Sequence, residues 1–112
     1  MSPSLIEYLN HIKAETEFLL RNSRNLNYKE FVSSEMISRA FLRSLEIIGE
    51  AVKMLPADFR MQYPLIEWKD ITGLRDKLIH HYFGVDYELV WDTIENDIPK
   101  LDETLGAILK GR

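Results

Sequence analysis

The strongest constraint on this chain is a series of apolar residues at Ile37, Phe41, Leu45, Ile48, Val52 and Leu55. Steps of four and three put all six on one face of an α-helix, close to a heptad seam. A helix from about Tyr28 or Lys29 to Leu55 with such a stripe must bury it against other helices. Ser34, Ser38, Arg39, Arg43, Glu46, Glu50 and Lys53 lie off the seam. Gly49 sits inside this helix and costs roughly 1 kcal/mol relative to alanine. That cost points to close approach by another backbone. Pro56 ends the helix.

The remaining segments also read as helix, because the β-branched alternation of strands is absent. A first helix is expected from about Ser4 to Arg21, with Ser4 as N-cap and Glu7 completing a capping box. NSRNLN, residues 22 to 27, is rich in turn formers and reads as a loop. ADFRMQYP, residues 57 to 64, reads as a short helical turn closed by Pro64. A third main helix spans about Trp68 to Phe83, stopped by Gly84. Asp86 is the expected N-cap of a fourth, carrying Leu89, Val90, Trp91, Ile94 and Ile98. Pro99 kinks or splits that helix, and Leu101, Leu105 and Leu109 carry helical structure onward. The expectation is an all-α fold: an up-and-down bundle of four main helices plus a short extra helical turn, in one domain over residues 1–112.

Composition narrows the function. Hydrophobic residues make up 46% and charged residues 29%, as in a globular domain rather than a disordered tail. There is no cysteine, which excludes disulfides and thiolate metal sites. The N-terminus lacks a basic region followed by an apolar run, and no segment approaches the roughly 20 apolar residues of a membrane span. A cytoplasmic location is expected. The net charge of −4 argues against general nucleic-acid affinity, yet permits a local basic site.

One segment breaks the amphipathic pattern: LRDKLIHHYFGVD, residues 74 to 86. On a helical wheel, Trp68 and Ile79 fall within roughly 40° of Arg75 on one side; Tyr82, Ile71 and Leu78 fall within roughly 60° on the other. Arg75 is therefore central to the apolar stripe. A lone guanidinium in a core is costly unless paired. It must meet an acid of its own chain, with Glu46 and Glu50 the candidates, or face a second subunit or an anion-binding cleft.

Asp76 and His80 are four apart and neighbour each other on the border of the stripe. Such spacing is common on surfaces; it could hold a metal, but two ligands without a third nearby are weak evidence for one. His81 points to the polar side, as a solvated bystander. The combination has chemical content nonetheless. Arginine supplies permanent charge and bidentate donors for phosphate. Histidine exchanges a proton near neutral pH. Asp76 can orient the imidazole, and Tyr82 adds a hydroxyl and a stacking surface. These groups suffice for metal-independent cleavage of RNA. A base takes the 2′-hydroxyl proton, a cation stabilises the pentacoordinate phosphate, and an acid protonates the leaving oxygen.

At these residues the chain resembles a known family. Arg75, four residues, His80, one residue and Tyr82 form the R-x4-H-x-Y pattern of the HEPN superfamily. More narrowly, the chain resembles the HepT-like toxins of toxin–antitoxin pairs. IIGEA (residues 47 to 51), WKDITGLRDKLIHHYFGVD (68 to 86) and VWDTIENDIPKL (90 to 101) are similar to that family's successive signatures. The resemblance implies a helical bundle that forms a homodimer, with the motif helices meeting near the dimer axis and both protomers contributing to one cleft. It implies a metal-independent ribonuclease in which Arg75 and His80 form the catalytic pair, assisted by Asp76, and no cofactor is required. The position after the arginine is often asparagine in the family, so Asp76 adds negative charge beside the phosphate site. Tyr82 corresponds to the tyrosine that a partner nucleotidyltransferase antitoxin modifies with AMP. The added bulk and charge would block RNA. The alternative is a non-catalytic HEPN module that binds a nucleotide or a nucleotidyltransferase. A purely structural bundle would pair Arg75 internally. On the leading reading, Arg75 faces a subunit cleft and not an acid of its own chain.

Overall fold

The structure is a computed structural model that describes residues 1–80 and 84–111. Its described elements are α1 (Pro3–Ser23), α2 (Tyr28–Ser33), α3 (Glu35–Lys53), α4 (Ala57–Met61), α5 (Trp68–Ile79), α6 (Tyr87–Asp92), a π-helical turn (Thr93–Asp97) and α7 (Ile98–Lys110). The fold is an all-α bundle. Helix α1 packs on α3, α3 on α5, and α7 returns to pack on α1. No helix among the described residues is long and apolar enough to cross a membrane.

The seam of the sequence is the centre of this bundle. Phe41, Leu45, Ile48, Val52 and Leu55 are all buried, together with Leu9, Ile12 and Leu19 of α1 and Leu101 and Leu105 of α7. Two polar contacts fix the register of α1 within the core. Buried Thr16 donates to Asp102 Oδ1 of α7 at 2.8 Å, and buried Ser44 of α3 donates to Glu15 Oε1 at 2.8 Å.

The expected long second helix is two helices. Ser34 is extended (φ −98°, ψ 108°) and interrupts it. Its hydroxyl accepts from the Ile37 N–H at 3.2 Å, which makes it the N-cap of α3. The turn gives α2 its own direction and drives Phe31 into the core. There Phe31 stacks on Phe41 and on Trp91, with ring centroids 5.7 and 5.2 Å apart. The extra short helices are thus α2 and α4, not one turn alone.

The caps also differ from expectation at one end. Helix α1 begins at Pro3, and its N-cap is Ser2, which accepts from the Leu5 N–H, so Ser4 and Glu7 form no capping box there. The capping box lies at α2: Asn27 accepts from the Glu30 N–H at 2.8 Å, while Glu30 accepts from the Asn27 N–H at 3.0 Å. Asp86 caps α6 as its position suggests, accepting from the Leu89 N–H. Gly84 has φ +107°, a backbone conformation that L side chains rarely adopt.

Pro99 does not split the last helix. The preceding turn widens: the Ile98 N–H donates to the Thr93 carbonyl, five residues back. A proline ring collides with the carbonyl four residues before it and donates no hydrogen bond of its own. The π-helical turn absorbs both effects, and α6 continues into α7 without a loop.

Candidate functional site

The candidate site lies where α5 crosses α3. Trp68, Ile71, Leu74 and Leu78 are the buried residues of α5. The start of this helix is pinned by the Trp68 indole, whose Nε1–H is shared between the carbonyls of Arg60 and Tyr63, both at 3.0 Å. The buried arc is therefore centred on the Ile71–Leu74–Leu78 side, and Arg75 sits at its edge. Ile79, on the far side of Arg75, is 39% exposed.

Gly49 explains how an arginine fits there. A Cβ at residue 49 would lie 2.7 Å from Arg75 Cγ, closer still to its Cβ, and 3.4 Å from the Ile71 carbonyl oxygen. The glycine lets the arginine stem pass directly over the α3 backbone. The close approach that Gly49 implied is real, and side chain as well as backbone makes it.

The guanidinium is not clear of its own chain's acids, which corrects that expectation. Arg75 Nη2 lies 3.4 Å from Glu50 Oε1, and Nη1 donates to Asp76 Oδ1 at 3.1 Å. Arg75 Nε is buried without a hydrogen-bond partner. The side chain is still 23% exposed, and its carboxylate partners are each nearly half exposed. The pairing anchors the arginine head at the surface and does not enclose it. The stripe position that suggested a buried charge marks the boundary between core and solvent.

Asp76 has a second cation. Lys53 of α3 donates to the same oxygen, Oδ1, at 2.5 Å. The hydrogen bond from Lys53 and then that from Arg75 hold the Asp76 carboxyl below the usual carboxylate range, against a smaller opposing effect of desolvation. The site is thus a quartet of Lys53, Asp76, Arg75 and Glu50. Its two cations and two carboxylates balance.

His80 is the C-cap of α5, and its backbone N–H donates to the Asp76 carbonyl at 3.1 Å. Its side chain is exposed on the same end of the helix as Arg75 and Asp76. The structure therefore brings Arg75, Asp76 and His80 into one short stretch around the end of α5. Helix α5 ends at Ile79, where His80 (φ −106°, ψ 36°) leaves the helical conformation, so the helix stops short of the expected run to Phe83. Tyr82 and the bystander His81 lie outside the described residues. Sequence reasoning missed Lys53, which it placed only off the apolar seam of the helix. The helical spacing of Gly49, Glu50 and Lys53 was the available signal, since residues three and four apart share a face. Glu50 also lines a shallow hollow with Tyr8, His11, Ile47, Ala51 and Met54. Among the described residues no group of three or more histidine or acidic side chains is placed to hold a metal ion.

The chain is also similar to known proteins. The ribonuclease HepT-like family matches the chain over residues 5–108. A protein of Caldanaerobacter subterraneus subsp. tengcongensis, named "Putative RNase TTE0752", is 50% identical over 103 residues, which cover 92% of each chain. A Thermococcus cleftensis protein, named "Probable ribonuclease HepT", is 41% identical over 101 residues, covering 90% of this chain and 92% of its own. A Methanocaldococcus jannaschii protein, named "Putative RNase MJ0125", is 42% identical over 103 residues, covering 92% and 89% respectively. No solved structure matches the chain. The family match takes in both α3 and α5, and with them the whole quartet and His80, so this chain belongs to the ribonuclease HepT-like family.

Proposed function

We propose that this chain is a metal-independent endoribonuclease that acts as the toxin of a toxin–antitoxin pair in the cytoplasm, its residues 1–112 forming one helical domain. The observation that carries the reading is the placement of Arg75. Its stem is seated on Gly49 and its head is held at the surface, at the end of the helix that His80 caps. In this mechanism a base takes the 2′-hydroxyl proton and the 2′-oxygen attacks the adjacent phosphorus. The bond to the 5′-oxygen breaks, and an acid returns a proton to that oxygen. His80 serves in the proton transfers. Arg75 stabilises the negative charge that builds on the phosphate oxygens. Asp76 assists through Arg75, as an anchor for the guanidinium.

The family match and the names of two relatives support the reaction class. The partners follow from the family resemblance: a second copy of this chain, RNA as substrate, and a nucleotidyltransferase antitoxin that transfers AMP to Tyr82. The test is cleavage of RNA by purified protein in the presence of EDTA. The parent should cut, whereas Arg75→Ala and His80→Ala should not while remaining folded. Undiminished cleavage by His80→Ala would sink the assignment.

One observation favours another reading, the purely structural bundle that pairs Arg75 internally. Arg75 Nη2 meets Glu50 of its own chain without any RNA. Chelator-resistant cleavage that depends on His80 separates the two.

A further inference from the structure

We infer that Lys53 is a positioning residue of this site: it neutralises Asp76 and so keeps the Arg75 guanidinium open to a phosphate. The inference rests on the ribonuclease reading and extends it to a residue outside the R-x4-H-x-Y pattern.

The geometry sets one competition. Asp76 Oδ1 accepts from Lys53 at 2.5 Å and from Arg75 at 3.1 Å, so two cations share one oxygen and the lysine holds it more closely. Three residues of α3 within about one turn meet the Arg75–Asp76 pair of α5. Gly49 receives the arginine stem, Glu50 meets Nη2, and Lys53 takes the aspartate. Without Lys53, Arg75 alone would face two carboxylates, and the group would carry a net negative charge. That charge would repel a phosphate and tighten the hold of Asp76 on the arginine. Asparagine at residue 76 would remove the conflict by another route. Its amide oxygen still accepts from Arg75 but brings no charge that needs a lysine.

Lys53 also lies in the last turn of α3, where a cation favours the helix dipole. A purely structural lysine would alter melting and leave phosphate recognition alone, so both are read. The experiment compares the parent with Lys53→Met, Lys53→Arg, Asp76→Asn and the double variant Lys53→Met/Asp76→Asn. The probe is a 2′-deoxy RNA oligonucleotide that cannot be cleaved, measured at low salt beside kcat and KM on cleavable RNA. Because Lys53 and Asp76 are partly exposed, solvent screening keeps the expected effect modest. Lys53→Met should weaken oligonucleotide binding about three- to five-fold, and Lys53→Arg should keep it. The double variant should return to the parent's affinity, and Asp76→Asn alone should bind more tightly than the parent. Carbon-detected NMR should show the Asp76 carboxyl of Lys53→Met titrating closer to its ordinary range.

Two outcomes overturn the inference. One is a double variant as weak as Lys53→Met, since Lys53 would then act on the phosphate directly. The other is a Lys53→Met protein that binds like the parent. The underlying reading fails separately. A parent that binds the oligonucleotide and responds to Lys53, but cuts no RNA, leaves the positioning role standing and removes the ribonuclease.

Discussion

A single missing methyl group decides whether this site can be built. Gly49 costs α3 helical propensity, so alanine there should stabilise an isolated helix by about 1 kcal/mol. In the folded protein the new Cβ would overlap the base of the Arg75 side chain, which cannot swing away as a flexible tip could. Helices α3 and α5 would have to separate, or the arginine would have to leave its seat. Overpacking of this kind typically costs about 1–3 kcal/mol. Gly49→Ala should therefore lower stability in urea denaturation despite its better propensity. It should reduce RNA cleavage even at temperatures where the protein stays folded. A variant that proved more stable than the parent and fully active would show that the close approach is not needed.

At the scale of elements, legibility depended on whether a feature is periodic or tertiary. The apolar seam of α3 was readable because its residues, from Ile37 to Leu55, follow one another by three or four positions. The break at Ser34 was not, because two serines on the polar side of a helical pattern look the same in a helix or at its cap. What forces the break is the docking of Phe31 between Phe41 and Trp91, and that is decided across three helices. Ser34→Ala should then cost about 0.5–2 kcal/mol through loss of the cap on the Ile37 N–H, measured by thermal unfolding. The site followed the same division. Spacing gave Arg75, Asp76 and His80, while Lys53 is 23 positions from its partner and joins them only through packing. The π-helical turn carries a charge test of its own. Burial, and then the charges of Asp70, Glu67 and Asp92, push the Asp97 carboxyl above its ordinary range, with Lys100 opposing. Its folded value exceeds its unfolded one, so its ionisation destabilises the protein above the folded value and has no effect below the unfolded one. Asp97 makes no side-chain cap bond at the start of α7. Asp97→Asn should raise the melting temperature at pH 7, with the gain shrinking to nothing as pH falls through the carboxylate range.

At the scale of the whole molecule, the family resemblance implies a site shared between copies, and that is testable. Net charge does not draw RNA to it, since the chain carries −4 and its quartet is neutral, so recognition depends on where individual groups stand. A cleft that joins two protomers would bring two arginines and two histidines to one phosphate, with their carboxylate partners beside them. The exposed apolar residues Met54 at the end of α3 and Ile79 at the end of α5 suit burial against a second copy. If the cleft is shared, Arg75→Ala and His80→Ala proteins should each be inactive alone. Co-refolded into mixed dimers, they should recover a fraction of the parent's cleavage, because one intact arginine and one intact histidine then meet across the axis. Sedimentation should show dimers at micromolar concentration for the parent and both variants. If each protomer instead holds a complete and separate site, every site in the mixture lacks one group, and co-refolding restores nothing. Recovery that scales with the mixed-dimer fraction would establish that the arginine of one copy works with the histidine of the other.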